Sequence, residues 1–313
     1  MNPTTTPKSS WLAYSALGAI CLIWGTTFLG IRIGVTNVPP FLFAGIRTTI
    51  AGFLLAVIVM AATKTKLPPR SVIVNQAIAG FFLFTLGNGL IGVAELYISS
   101  GITAIICAMI PIWVTLINLA SSGDEKPTLP VFLGLAIGLS GIVLMFGDSV
   151  AEFSDSNYAW SLALIFIANI GFSFGTVWIK KKNTNSNSNT FVNAGLQMFF
   201  GGVVNLILSP LFDNYSNINW TSSAVWALIY LIVVGSMIAY GCFAYALKKL
   251  PVTIVSLYAY INPIVAVLLG SLILGEKFNM RIAVAMLITV AGIYIVNKGF
   301  QLRDLWRAQF SRQ

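Results

Sequence analysis

Four sets of residues stand inside stretches of this sequence that are otherwise hydrocarbon, and each set could do a different chemistry. Arg47 and Glu95 are ionisable groups set in or beside long uncharged runs. Such groups can neutralise each other, hold a charged ligand or relay a proton. The chain has no histidine, and no aspartate falls in a long apolar run, so Glu95 is the first candidate for a buried proton carrier. Asn88, Asn169 and Asn262 offer amide donors and acceptors. They could meet the polar end of a ligand, or join helix to helix at about 0.6 kcal/mol each. Trp24, Tyr240 and Tyr258, with Tyr260 beside them, could build an aromatic wall with polar handles or simply pack as core. Pro111 and Pro263 lack an N–H, so each would free the carbonyl four residues earlier, Cys107 or Ala259.

The surroundings of these residues decide the class of protein. Of 313 residues, 57% are apolar and only 9% are charged, against about 25% charged in soluble domains. The runs Trp11 to Ile31, Phe41 to Thr63, Ser71 to Ala94 and Leu96 to Gly123 contain one charged residue, Arg47. A hydrocarbon core about 30 Å thick needs about 20 helical residues per crossing, which these runs supply. Turn-forming and charged punctuation divides the chain into ten apolar segments near 11–34, 40–62, 74–98, 100–121, 130–147, 158–180, 191–212, 222–247, 252–274 and 281–297. The first is too long for a secretory leader and reads as a spanning helix. The expected fold is an all-α polytopic membrane protein.

Charge placement tests that count. With the N-terminus in the cytoplasm, fourteen of the eighteen Lys and Arg residues fall inside, while Arg32, Lys277 and Arg281 hug outer helix ends and Arg47 lies within a segment. The outer loops "GDSVAEFSDSNY" and "DNYSNINWTSS" carry none. This is the inside-positive asymmetry of ten spans with both termini cytoplasmic. It also removes nucleic acid as a partner, because the net charge of +9 sits at segment ends as a topology signal. Trp11, Trp160 and Trp220 fall where interfacial anchors belong. The polar stretch "KKKNTNSNSN" reads as a solvated linker between halves. Cys21, Cys107 and Cys242 all lie in apolar segments with neither disulfide nor zinc spacing.

The chain also resembles itself at an offset of 152 (241 − 89): Gly89 overlays Gly241, Ala94 overlays Ala246, and Pro111 overlays Pro263. After a one-residue slip, Glu125-Lys126 meets Glu276-Lys277 and Gly141 meets Gly292. Five spans per half force the second copy, residues 151–313, to enter the membrane opposite to the first, residues 1–150. Inverted repeats with interrupted helices at matching places are the usual build of secondary transporters, with the substrate at the repeat interface. On the same logic Trp24-Gly25, the "GNG" of residues 87–89 and "NIGFSFG" in the sixth segment are further loosening points. Gly134 and Gly138 form a GxxxG pattern suited to close helix packing.

These features resemble a known family. "YALKKLPVTIVSLYAYINPIVAVLLGSLILGE" is similar to the closing signature of EamA-type permeases of the drug/metabolite transporter superfamily, "IWGTTFLGIRIG" to that family's first helix, and "PPFLFAGIRTTIAGFLL" to its second. Within it, the chain looks nearest to the YedA-like inner-membrane branch, which also has a glutamate where "VAELYISSG" stands here. The resemblance implies ten helices in two inverted five-helix repeats, alternating access, and a central cavity between the first, third, fourth, sixth, eighth and ninth helices. It also implies export of amino acids or other metabolites, and a bacterial inner-membrane location.

The expected partners are a small-molecule substrate, the lipid bilayer, protons as candidate coupling ion and a second copy of the chain as a candidate homodimer. No cofactor or metal is expected. Substrate contacts are expected from Trp24, Asn88, Asn169, Tyr240, Tyr258 and Asn262, and helix breaks from Pro111 and Pro263. Counting 1.5 Å per residue, Arg47 lies about 9 Å and Glu95 about 6 Å inside the outer ends of their spans. Pairing of Glu95 with Arg47 or Arg32 is therefore the first expectation and proton coupling the second. A facilitative channel or uniporter is the alternative, although no selectivity-filter sequence or ring of charge is present. A membrane enzyme fits less well. There is no Walker A loop, no HExxH motif, no acidic pair in a span, and no intramembrane lysine to activate a serine.

Overall fold

The computed structural model describes residues 7–98, 100–121, 127–146, 156–184, 188–216, 218–274 and 280–310. All regular structure among them is helical, in ten spans. These are α1 (Pro7–Val35), α2 (Pro40–Thr63), α3 (Arg70–Ala94), α4 (Ser100–Cys107 and Ile110–Ala120), α5 (Leu129–Phe146), α6 (Ser156–Thr184), α7 (Thr190–Phe212), α8 (Ser222–Lys249), α9 (Val252–Ser256 and Tyr258–Leu274) and α10 (Met280–Phe310). Seven helices are long and apolar enough to cross a bilayer, and the shorter apolar helices Ile110–Ala120, Leu129–Leu144 and Val252–Val265 belong to the other three spans.

Local chemistry sets several ends. Pro40 opens α2, whose first-turn N–H groups at Phe41 and Leu42 donate to the Asp213 carboxylate at 3.2 and 2.8 Å. A carboxylate at a helix N-terminus satisfies orphan donors and meets the favourable end of the dipole. Lys64 closes α2 in the left-handed conformation, φ 53°. Asn189 caps α7 by accepting from Phe191 N and Val192 N. Two expectations shift here. The α6 helix runs on through Lys180, Lys181 and Lys182 to Thr184 instead of ending in a linker. Those lysines have partners: Lys180 donates to Leu247 O and Leu250 O, Lys181 to Ser121 O, and Lys182 sits 5.0 Å from the Trp178 ring centre.

The packing has the symmetry of inverted halves. α1 lies against α8 and α9, and its counterpart α6 lies against α3 and α4, while α2 pairs with α7 and α5 with α10. Exchanging the two halves maps each of these contacts onto another or onto itself. Both self-related pairs need backbone approach. A Cβ on Gly52 would sit 2.3 Å from Phe199 N, and one on Gly292 would sit 2.4 Å from Gly138 N. With no hydrophobic drive between helices in lipid, such close contact is what holds them together. The Gly134/Gly138 pattern serves this purpose on α5. Glu125-Lys126 and Glu276-Lys277, which anchor the overlay in sequence, lie outside the described residues. Trp11, Trp160 and Trp220 are all exposed, the disposition of interfacial anchors.

Among the described residues, four spans are interrupted. α3 and α8 contain π-helical segments, Phe81–Gly89 and Leu231–Ile238, at nearly matching places of the repeat. A π segment misaligns the carbonyl ladder, and neighbouring side chains take up the freed groups. Asn205 Nδ2 donates to Phe84 O at 3.1 Å, and Trp24 Nε1 donates to Gly235 O at 3.1 Å. α4 breaks at Ala108–Met109 and α9 at Leu257. The first break follows from Pro111, whose ring excludes the carbonyl of Cys107, and the helix stops there. The second differs from expectation: Pro263 lies inside Tyr258–Leu274, and the break sits six residues before it.

Candidate functional site

All four interruptions face one cavity. It is walled by α1, α3, α4, α6, α8 and α9, the six helices that the resemblance implied, with Arg47 of α2 as an addition. Phe84 and Asn88 come from the α3 π segment, Gly235 and Ser236 from that of α8, Cys107 and Ile110 from either side of the α4 break, and Tyr258 and Ala259 from just past the α9 break. Irregular backbone at membrane depth is tolerated where it lines a cavity or is covered by protein.

The structure brings Trp24, Asn88, Asn169, Tyr240, Tyr258 and Asn262 together on that cavity. The Trp24 ring stands edge-on to Tyr258 with centroids 4.6 Å apart and to Phe172 at 6.3 Å, and lies 5.3 Å from Phe243. Tyr240 continues the wall against Phe84 at 4.8 Å and Phe243 at 5.4 Å. Tyr260 does not join it. Its ring covers Gly138, and its hydroxyl donates to Leu135 O at 2.8 Å, which is packing on α5.

The amides divide their capacity between structure and cavity. Asn169 Nδ2 donates to Ile106 O, beside the α4 break, at 2.7 Å, leaving its buried Oδ1 without a partner. In the orientation its neighbours require, the Asn262 amide donates to Tyr258 O at 3.0 Å and Cys21 O at 3.2 Å, tying α9 to α1. Asn88 is half-buried on the wall. Pro111 is buried at the start of its helix segment, and neither proline is on the cavity lining, although Cys107 and Ala259 are.

The charged pair does not pair. Arg47 and Glu95 are both buried, at 6% and 0% exposure. Arg47 Nε donates to Ser236 Oγ at 3.0 Å, and Arg32 Nη1 to Ile98 O at 3.2 Å. Both Glu95 oxygens lack a hydrogen-bond partner, although the fields of Arg32 and Arg47 reach them. Glu95 ends α3 with its backbone N–H donating to Ile91 O at 2.9 Å, off the cavity lining. Which atoms each of these side chains meets was not readable from the sequence.

Sequence reasoning missed the polar chain below Tyr240. The Tyr240 hydroxyl donates to Gln197 Oε1, Gln197 Nε2 to Gln76 Oε1 at 2.5 Å, and Gln76 Nε2 to Asn183 Oδ1 at 3.0 Å. Gln76 and Gln197 are each 1% exposed. The chain links α8, α7, α3 and α6 and runs toward the end bearing Lys64, Arg70, Lys180 and Lys248. A second, smaller cavity lies there, lined by Lys180, Asn183, Gln197 and Lys248 among others. Lone glutamines inside otherwise apolar spans were the available signal.

The fold and this cavity define a polytopic membrane protein whose two inverted halves enclose a central chamber. The chain belongs to the EamA-like transporter family, whose model matches residues 11–147 and 159–298. It is 33% identical over 287 residues to YedA of Escherichia coli (strain K12), an uncharacterised inner membrane transporter, across 91% of this chain and 90% of that protein. It is 25% identical over 288 residues to the uncharacterised transporter YoaV of Bacillus subtilis (strain 168), across 92% and 97%. A solved structure titled "Crystal structure of protein" shares the fold with a TM-score of 0.73 at 19% identity, over 92% of this chain and 96% of that one.

Proposed function

We propose that this transporter is a secondary-active carrier that exports a small amphipathic metabolite, an amino acid or similar compound, by alternating access. The central chamber is its substrate site. One observation carries the reading: every interrupted helix, from both halves, breaks on the wall of the same cavity. Alternating access requires elements with two arrangements around a fixed site, and broken helices in matched halves supply them. In this reading halves 1–150 and 151–313 rock against each other, and the chain Tyr240–Gln197–Gln76–Asn183 closes the lysine-rich end. That end faces the cytoplasm by the distribution of Lys and Arg, with both termini on the same side. The naming of YedA as an inner membrane transporter supports a bacterial inner-membrane setting. Glu95, buried without a partner, is the candidate proton carrier.

Flux of radiolabelled amino acids into proteoliposomes tests this reading. A carrier gives saturable uptake accelerated by unlabelled substrate on the far side. Flux that rises linearly with concentration and shows no counterflow would replace the carrier with a channel.

A further inference from the structure

The central cavity has a cation that is hydrogen-bonded to no carboxylate among the described residues. Arg47 is 6% exposed, and one of its five N–H donors, Nε, is used, on the neutral hydroxyl of Ser236. Its Nη2 lies beside Gly235, and both residues line the cavity. Glu95 is the carboxylate whose field reaches Arg47, yet its two oxygens hydrogen-bond to nothing. A guanidinium keeps its proton, so a buried one with most of its N–H donors unused has hydrogen-bonding demand left for a ligand. Arg47 is also the sole cationic side chain on the cavity wall among the described residues. A single guanidinium in an otherwise uncharged chamber matches a monoanion. A doubly charged phosphate would need further cations.

We propose that Arg47 is the anchor for a carboxylate on the transported compound, whose apolar body lies against Trp24, Phe172 and Tyr258. The planar fork of Arg47 accepts a carboxylate through paired N–H donors. This assignment rests on the cavity being the substrate site and narrows its cargo to amphipathic compounds that bear a carboxylate, excluding amines and amides that lack one.

The test compares 3-phenylpropionate, its uncharged amide and 2-phenylethylamine by calorimetric titration of the purified full-length protein, with hexanoate and phenylalanine as further acids. The acid should bind at least about tenfold tighter than the amide or the amine. Arg47→Gln should weaken the acid by about tenfold to about a hundredfold and leave the amide unchanged. Arg47→Lys should retain part of the preference. Equal binding of acid and amide by the unmodified protein, or no binding of any acid in the panel, overturns the proposal without any variant. So does an acid affinity within twofold of the original in a folded Arg47→Gln protein. Counterflow in proteoliposomes separates the two readings: a channel-like flux with acid preference intact rejects the carrier and keeps the anchor, and the reverse outcome rejects the anchor alone.

Discussion

Replacing Gln197 with leucine should loosen the lysine-rich end of the molecule. Gln197 is the middle link of the buried chain, accepting from Tyr240 and donating to Gln76. Leucine is close in volume, so the change removes two interhelical hydrogen bonds while disturbing packing little. Such bonds in membranes average about 0.6 kcal/mol and reach about 1.7. Two of them amount to about 1 to about 3 kcal/mol, a factor of about 5 to about 150 in the balance between closed and open forms. The change can be read with a single cysteine at Ala244, on the smaller cavity beside Gln197, in a protein whose native cysteines are replaced. An impermeant maleimide applied from the lysine-rich side should label Ala244→Cys faster by that factor once Gln197→Leu is added. Gln76→Leu should give a similar acceleration, because it removes the bonds to Gln197 and Asn183. An unchanged labelling rate in both would mean that this end is closed by something other than the polar chain.

Three further outcomes are expected. Asn262→Ala removes the tie between α9 and α1 at Cys21 O, and should cut flux by about tenfold with membrane insertion and helix content unchanged; full uptake and counterflow would remove Asn262 from the site. Glu95→Gln should abolish pH-driven accumulation and spare exchange across equal pH, and pH-dependent flux that persists unaltered would reject Glu95 as a proton carrier. Gly292→Val should lower thermal stability in detergent by about 1–3 kcal/mol or more, because its Cβ would press on Gly138 N at 2.4 Å. Gly18→Ala, with nothing within 4 Å, should be neutral or slightly stabilising, and equal effects of the two would contradict the close α5–α10 contact.

Sequence alone determined which stretches are apolar enough to cross a membrane and in which order they follow. Long apolar runs fix where a chain enters and leaves hydrocarbon, the lysines mark their ends, and the offset of 152 between Gly89 and Gly241 relates the two halves. Trp24, Asn88, Asn169, Tyr240, Tyr258 and Asn262 could be singled out because polar or loosening residues at mid-depth are few. The direction in which each helix turns a given face was decided by packing. Tyr240 finds Gln197 across 43 residues of chain, and Gln197 finds Gln76 across 121. Lys180, which reads as solvated, turns in to the carbonyls of Leu247 and Leu250. Arg47 turns to the Ser236 hydroxyl, while neither oxygen of Glu95 makes a hydrogen bond. A bilayer imposes one coordinate, depth, on the linear order of residues. The other two come from which helix surfaces fit closely enough to exclude lipid, and that is a property of all the helices together.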